Sequence, residues 1–379
     1  MDDRTGSVRL ARFGPVEVFI HWSWLIIATL LTLGFWGQLT ETNDDLAEGR
    51  AWLLAVVGSV VFFASVLVHE LAHAFMAIAR GIEVRGITLY LFGGATEADA
   101  SSRTAADELI IAVVGPLTSL GIAALLGAAW AVLDPTDPAL GGLLGYLAVV
   151  NVILALFNLV PGLPLDGGRV LRATVWAVTG DFAKATRWAA SGGVAIGYLL
   201  IGAGLVELWT GNVGGLWFAA IGWMISAAAR RTEQQERLRD AFAGQTAADV
   251  MTTPVLSVPA DEPLATTVRE RFARFSPTVF PVVDGERIVG TIGVASVQGM
   301  VADEVGALTS GQVARPTDPA LLVEPTRPMH EIVALLAGSR EGTRVIVVED
   351  GRPVGIISPR DVVRRSALAG LLSPRIGPR

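Results

Sequence analysis

Along the first 230 positions apolar residues fall in long runs, and most charged residues lie in the gaps between them. The runs lie at about 19–39, 51–79, 106–133, 141–160, 188–209 and 213–229. Each is near the length of roughly 20 residues that carries a helix across a hydrocarbon core. The pattern predicts six transmembrane helices, the last two joined by Gly211, Asn212, Gly214 and Gly215 as a helical hairpin. Past residue 231 the pattern changes. Residues 232–243 are charged and read as a linker helix, and from 244 onward short β-branched runs alternate with polar turns. Residues 279–294 and 345–357 spell one hairpin twice, with Gly290 and Gly355 at matching positions, so 244–379 reads as an internal repeat of about 244–302 and 309–368. The expected fold is an α-helical polytopic membrane domain over 1–231 followed by a paired α/β domain.

Basic residues test this topology without using hydropathy. The N-terminal stretch carries Arg4, Arg9 and Arg12 and no long apolar core, so no cleaved signal peptide is read there. Arg80, Arg85 and Arg103 follow the second run, Arg169, Arg172, Lys184 and Arg187 the fourth, and Arg230, Arg231, Arg237 and Arg239 the sixth. The intervening loops hold one basic residue or none. By the positive-inside rule both termini and the repeat domain are expected in the cytosol, which fits a multi-pass protein of a bacterial plasma membrane.

Composition changes the picture in two ways. At 52% hydrophobic and 17% charged, the 379 residues are too apolar for an ordinary soluble protein. A net charge of −7 with no basic stripe gives no case for nucleic acid. There is no cysteine, so a metal site must draw on carboxylates and on His21, His69, His73 and His330.

Residues 66–73 read Val-Leu-Val-His-Glu-Leu-Ala-His. His69 and His73 stand four apart and project from one helix face, as two ligands of one metal must. Glu70 is offset from both, where a carboxylate stays off the metal and reaches the attacking water. An ionised carboxylate in a membrane span costs roughly 2.5–3.5 kcal/mol on insertion scales, so an unused copy of this trio is not expected there. His69 precedes Arg80 by eleven residues, about 16 Å along a helix, which places the metal inside the membrane toward its cytosolic side. A catalytic zinc takes a third protein ligand, and Asp166 in Phe157-Asn-Leu-Val-Pro-Gly-Leu-Pro-Leu-Asp-Gly-Gly-Arg169 is the strongest candidate, expected at the cytosolic end of the fourth span. Its alternative role is to cap a short helix beginning at Gly167. Asn151 and Asn158, seven apart, share a helix face.

Together the two motifs resemble those of the site-2 proteases, whose pattern is HExxH in one span and Asn-x-x-Pro-x-x-x-x-Asp-Gly in a later one. His69, Glu70, His73, Asn158, Pro161, Asp166 and Gly167 meet it, and the likeness covers roughly residues 8–228. The resemblance implies one zinc per chain on His69, His73 and Asp166, Glu70 as the catalytic base, and Asn158 against the substrate. It also implies that residues 89–96, a short strand or hairpin turning at Gly93 and Gly94, edge the site and pair with an unwound substrate; the alternative is an ordinary interfacial loop. Ile20-His21-Trp22-Ser23-Trp24 is similar to the family's first span, and His21 there reads as interfacial. His330 reads as a surface residue without a metal partner.

The repeat domain is similar to paired CBS (cystathionine beta-synthase) domains. That resemblance implies an adenine nucleotide at Ser358 and Asp361, whose spacing in the second copy keeps the family pattern, while Gly293 and Ser296 in the first copy depart from it. A role in packing or homodimer formation alone is the alternative. The resemblances together imply regulated intramembrane proteolysis of a membrane-embedded signalling protein, such as an anti-sigma factor or a pro-transcription factor. The competing expectation is a metal or ion transporter gated by CBS domains; the six runs show no repeat and one polar cluster, whereas transporters usually carry paired broken helices.

Overall fold

Val16, Val18 and Ile20 alternate with Glu17 and Phe19, a period of two in β-branched and aromatic residues, and the chain answers with a strand. The computed structural model describes residues 6–43, 45–90, 93–98, 102–273, 279–337 and 343–372. In it β1 (Ser7–Phe13) and β2 (Val16–His21) pair antiparallel across a two-residue turn where Gly14 takes φ +59°. The first apolar run therefore does not start a helix at Phe19. Helix α1 spans Trp24–Thr42. The expectation failed because Val16 and Val18, completely buried, belong to a core under a sheet and not to a lipid-facing surface.

Helix α2 spans Glu48–Ala79. Its buried positions Ala51, Ala55, Gly58, Ser65, His69, His73 and Ala77 recur every three, four or seven residues, so one stripe faces protein while Leu53, Val56, Val60 and Val68 face outward. After α2 the chain forms β3 (Val84–Tyr90) and β4 (Gly93–Ala98). The four strands make one sheet in the order β1-β2-β3-β4, with β2 and β3 parallel in the register Val18↔Ile87 and β3 and β4 antiparallel. The sheet packs Val16, Val18, Ile87 and Leu89 against Leu71, Ala74 and Ala77 of α2 and Ile111 of the next helix. That apolar contact fixes the end of α2 that bears the histidines.

Helix α3 (Ala105–Leu133) starts where the Thr104 hydroxyl accepts from the Asp107 amide; α4 (Pro138–Asn158) starts behind Asp137, with Pro138 at the first position. The short helix α5 (Asp166–Thr179) ends at Gly180, φ +70°, and is followed by α6 (Phe182–Trp209), capped by Asp181, and α7 (Gly215–Ala241). Among the described residues four helices are long and apolar enough to cross a membrane: α2, α3, α4 and α6. The first and last of the six expected spans are not among them. The charged stretch expected as a linker helix is helical, as the continuation of α7 through Arg230 and Arg231 to Ala241. Asp166 lies past the end of α4, which stops at Asn158, and it opens a short helix, as its alternative role expected, because Pro161, Gly162 and Pro164 break the chain between them.

The chain divides into two compact units, Asp2–Glu236 and Arg237–Arg379. The second contains two three-stranded sheets of the same plan. In one, β5 (Val258–Pro259) runs parallel to β6 (Val279–Asp284), which turns back into β7 (Arg287–Gly293); in the other, β8 (Leu322–Val323) runs parallel to β9 (Val345–Glu349), which turns back into β10 (Arg352–Ile357). Gly285 and Gly351 take φ +60° and +82° at the equivalent turns. Each sheet has its own apolar core, with Phe280, Val282 and Ile292 in one and Val345, Val347 and Ile357 in the other, and the central strands are buried on both faces, Ile346 included.

Candidate metal centre

His69 and His73 are buried on α2, and Asp166, the first residue of α5, reaches both from a site 93 residues beyond His73. The Nε2 atoms of the two histidines are 3.2 Å apart, and Asp166 Oδ2 lies 3.1 Å from His73 Nε2 and 3.3 Å from His69 Nε2. A tetrahedral zinc with ligand bonds near 2.05 Å holds its ligand atoms about 3.3 Å from one another. The trio already stands at that spacing. It is the one group of three or more potential metal ligands gathered within a few ångströms among the described residues. The donor set of two imidazoles and one carboxylate, buried and converging on one point, suits zinc.

The outward nitrogens are fixed as well. His73 Nδ1 is 2.7 Å from the carbonyl of Ile111, which only accepts, so Nδ1 carries the proton and Nε2 presents its lone pair inward. His69 Nδ1 lies 2.9 Å from Ser119 Oγ, and with its Nε2 committed to metal it donates to that hydroxyl. Ile111 and Ser119 stand eight apart on α3. Between them is Gly115, where a Cβ would come within 2.2 Å of His73 Nε2 and 2.7 Å of His69 Nε2. Only glycine leaves room for two imidazoles against this helix. Gly167 does the same for Asp166, since a Cβ there would meet the Leu159 carbonyl at 2.2 Å and the chain could not fold back so tightly.

Glu70 follows His69 on α2 and is half-buried. Asn158 is the last residue of α4 and half-buried; Asn151, two turns earlier, is fully buried, donates through Nδ2 to Leu147, and its Oδ1 has no hydrogen-bond partner. An antiparallel pair of strands stands where a strand or hairpin was expected, but Gly93 and Gly94 are not its turn: they open β4 and pair with Tyr90 and Leu89, and residues 91–92 lie outside the described residues. β4 is the last strand of its sheet, so one of its edges is unpaired among the described residues. His21 is not part of the metal centre. Its ring bonds Ser23 at 2.8 Å and packs 5.5 Å from Tyr90.

In the second unit Ser358 and Asp361 are close, but they bond each other. Ser358 Oγ donates to Asp361 Oδ2 at 2.6 Å, and the same carboxylate accepts from the Ser358 amide at 2.9 Å. This closes a cap on helix Pro359–Leu372. In the first copy the corresponding contact is a longer one, from the Gly293 amide to Ser296 Oγ at 3.3 Å. His330 is exposed at the start of helix Met329–Ala337.

Sequence reasoning missed Ile111, Gly115 and Ser119. Their signal was a spacing of four along an otherwise featureless apolar run, with small or polar residues at two of the three positions.

Comparison with known proteins gives matches along nearly the whole chain. Residues 57–135 and 136–200 match the model of peptidase family M50, and residues 247–298 and 311–368 each match the CBS domain. A Mycobacterium tuberculosis protein named zinc metalloprotease Rip3 is 34% identical over 372 residues, 97% of this chain and 95% of that protein. A Synechocystis protein named zinc metalloprotease sll0528 is 27% identical, covering 94% of this chain and 95% of that one. The solved site-2 protease of Methanocaldococcus jannaschii matches 60% of this chain and 95% of its own at 25% identity, with a TM-score of 0.43. With a relative this similar along nearly its whole length, and two buried histidines of a His-Glu-x-x-His helix meeting Asp166, the chain belongs to peptidase family M50, the site-2 proteases, as a membrane zinc metalloprotease that carries a pair of CBS domains.

Proposed function

We propose that this protein hydrolyses a peptide bond within or beside a transmembrane segment of a signalling protein, of the anti-sigma or pro-transcription-factor kind, under control of its CBS pair. The observation that carries this reading is that His69 and His73, on a membrane-length helix, meet Asp166 of α5 at zinc-competent spacing, with the Glu70 carboxylate next to His69 on the same helix. Zinc bound there supplies Lewis acidity toward the scissile carbonyl and makes the attacking water acidic. Glu70, about 100° around α2 from His69, takes the proton that this water releases and passes it to the leaving amide nitrogen. Asn158 engages the substrate backbone. A substrate helix has its amides bonded internally, so it must unwind first, and the outer edge of β4 beginning at Gly93 and Gly94 offers it a strand to pair with.

In this reading α1 and the first half of α7 also cross the bilayer, making six spans in all. Exposed Leu25, Leu30 and Leu33 on α1 and Trp217 and Trp223 on α7 support it. The arginine distribution supports cytosolic termini and CBS domains in a bacterial plasma membrane. The CBS pair binds an adenine nucleotide near Ser358 and Asp361 or forms a homodimer, and couples that event to proteolysis. Comparing membranes from cells with wild-type protein and with Glu70→Gln tests the central reading. Single-span proteins that persist only in the variant are its substrates. If none accumulates under several stresses while the purified variant holds zinc, proteolysis gives way to CBS-gated transport.

A further inference from the structure

We infer that Glu108 of α3 is a positioning residue for the metal ligand Asp166, acting through two arginines of α5. The inference rests on the metal-centre reading above. Glu108 is 1% exposed. Its Oε1 accepts from Arg169 Nε at 3.1 Å and from Arg172 Nη2. Those arginines stand three and six residues past Asp166, so all three lie along one side of α5. Arg172 is held from behind by Phe182, whose ring centroid is 5.1 Å from the guanidinium carbon, and Phe182 in turn packs edge-on against Trp176. One carboxylate thus fixes two successive turns of α5 by charge-assisted bonds in a buried setting.

α5 is a short helix whose first residue is a metal ligand, and the break before it leaves its rotation about its own axis to be set from outside. A side-chain end roughly 5 Å from a helix axis moves nearly 2 Å for a rotation of about 20°. Metal sites tolerate distance errors of about 0.2 Å. Two bonds one turn apart to a single fixed carboxylate remove both rotation and sliding. Glu108 also stands in line with the α3 positions that serve the histidines: 108, 111, 115 and 119 are separated by three, four and four residues and share one helix face. That face orients His73 through the Ile111 carbonyl, makes room at Gly115, orients His69 through Ser119 and sets Asp166 through Glu108. All three ligands are aligned from one helix.

The test measures zinc affinity of the full-length protein in nanodiscs by competition with a fluorescent chelator, and the visible absorption of the cobalt-loaded protein, which reports ligand number and symmetry. Glu108→Gln is expected to weaken zinc binding about 10- to 100-fold, the effect of removing a partner that orients a ligand, and to alter the cobalt spectrum. Glu108→Asp, which keeps the charge, recovers part of the affinity. Glu108→Gln with wild-type zinc affinity and cobalt spectrum, whatever its melting temperature, reduces Glu108 to a packing role and overturns the inference. Should Glu108→Gln fail to fold, Arg169→Gln decides in its place, because it leaves Glu108 paired with Arg172: weaker zinc binding supports positioning, unchanged binding refutes it. If the wild type binds no zinc, or His69→Ala binds it equally well, the metal-centre reading itself has failed, independently of Glu108.

Discussion

Replacing Gly115 by alanine adds one carbon where two metal ligands meet. The new Cβ would stand 2.2 Å from His73 Nε2, 2.6 Å from its Cε1 and 2.7 Å from His69 Nε2, whereas ordinary contact begins at 3.4 Å. About 1 Å of movement is needed, and the rings cannot supply it freely. Each is tethered through Nδ1 to α3 itself, His73 at Ile111 and His69 at Ser119, so a ring that swings away from position 115 breaks a bond of 2.7 or 2.9 Å. Separating α2 from α3 instead would open the packed stripe on both helices, an overpacking cost of about 1–3 kcal/mol. Either route displaces both nitrogens from Asp166. A misplacement near 1 Å in a catalytic constellation costs on the order of 10²-fold in rate. The assays are zinc affinity by chelator competition and cleavage of a reconstituted single-span substrate. Gly121→Ala on the same helix is the control, since a Cβ there meets nothing within 4 Å. If Gly115→Ala binds zinc and cleaves like the Gly121→Ala protein, the claim that the α3 face sets the ligand geometry is wrong.

Ser119→Ala removes the hydroxyl behind His69 and is expected to weaken zinc about tenfold while Glu70→Gln leaves affinity near wild type; equal losses in the two would contradict their separate roles. Zinc at about 100 times its dissociation constant should stabilise the wild type by about 2.7 kcal/mol, seen as a higher Tm than in excess chelator, and Asp166→Ala should lose most of that difference. Bonds from the backbone amide and the side-chain hydroxyl of Thr246 hold the Asp249 carboxyl below its ordinary value of 3.8. The resulting stabilisation of the second unit is full above that value and lost as pH falls through the lower folded value, so melting curves of wild type and Thr246→Val should converge in acid. Titration with adenine nucleotides should show saturable binding that Asp361→Ala abolishes; saturation unaffected by that change would place the ligand elsewhere.

The sequence displays the candidate metal ligands because their chemistry is local. His69 and His73 share a helix turn, and the Asn158–Asp166–Gly167 element is marked by prolines and glycines that a membrane helix does not otherwise tolerate. The repeat domain is equally plain, since a hairpin written twice at one spacing needs no tertiary knowledge. What stayed hidden depends on partners distant in sequence. Residues 16–21 are apolar enough to extend the first helical run, and only burial against α2 and pairing with β3 decide that their period of two wins. The two ends of the membrane unit are the less legible part of the span pattern, since α1 is shorter than the expected run and α7 carries its apolar residues in only one half.

The helix that governs the site is the one whose sequence says least about it. α3 contributes no metal ligand, and its positions 111, 115 and 119 read as an isoleucine, a glycine and a serine in a lipid-compatible run. Their importance arises because α2 and α5 each need an external reference: α2 to choose the ring orientation of two histidines, α5 to fix the reach of an aspartate after a broken backbone. A carbonyl, a missing side chain, a hydroxyl and a buried carboxylate supply that reference from one face, at separations of three and four residues. Backbone carbonyls and absent side chains carry no residue-type signature, which is why the ligands are visible in the sequence and the face that aligns them emerges only once α3 is laid against both of its partners.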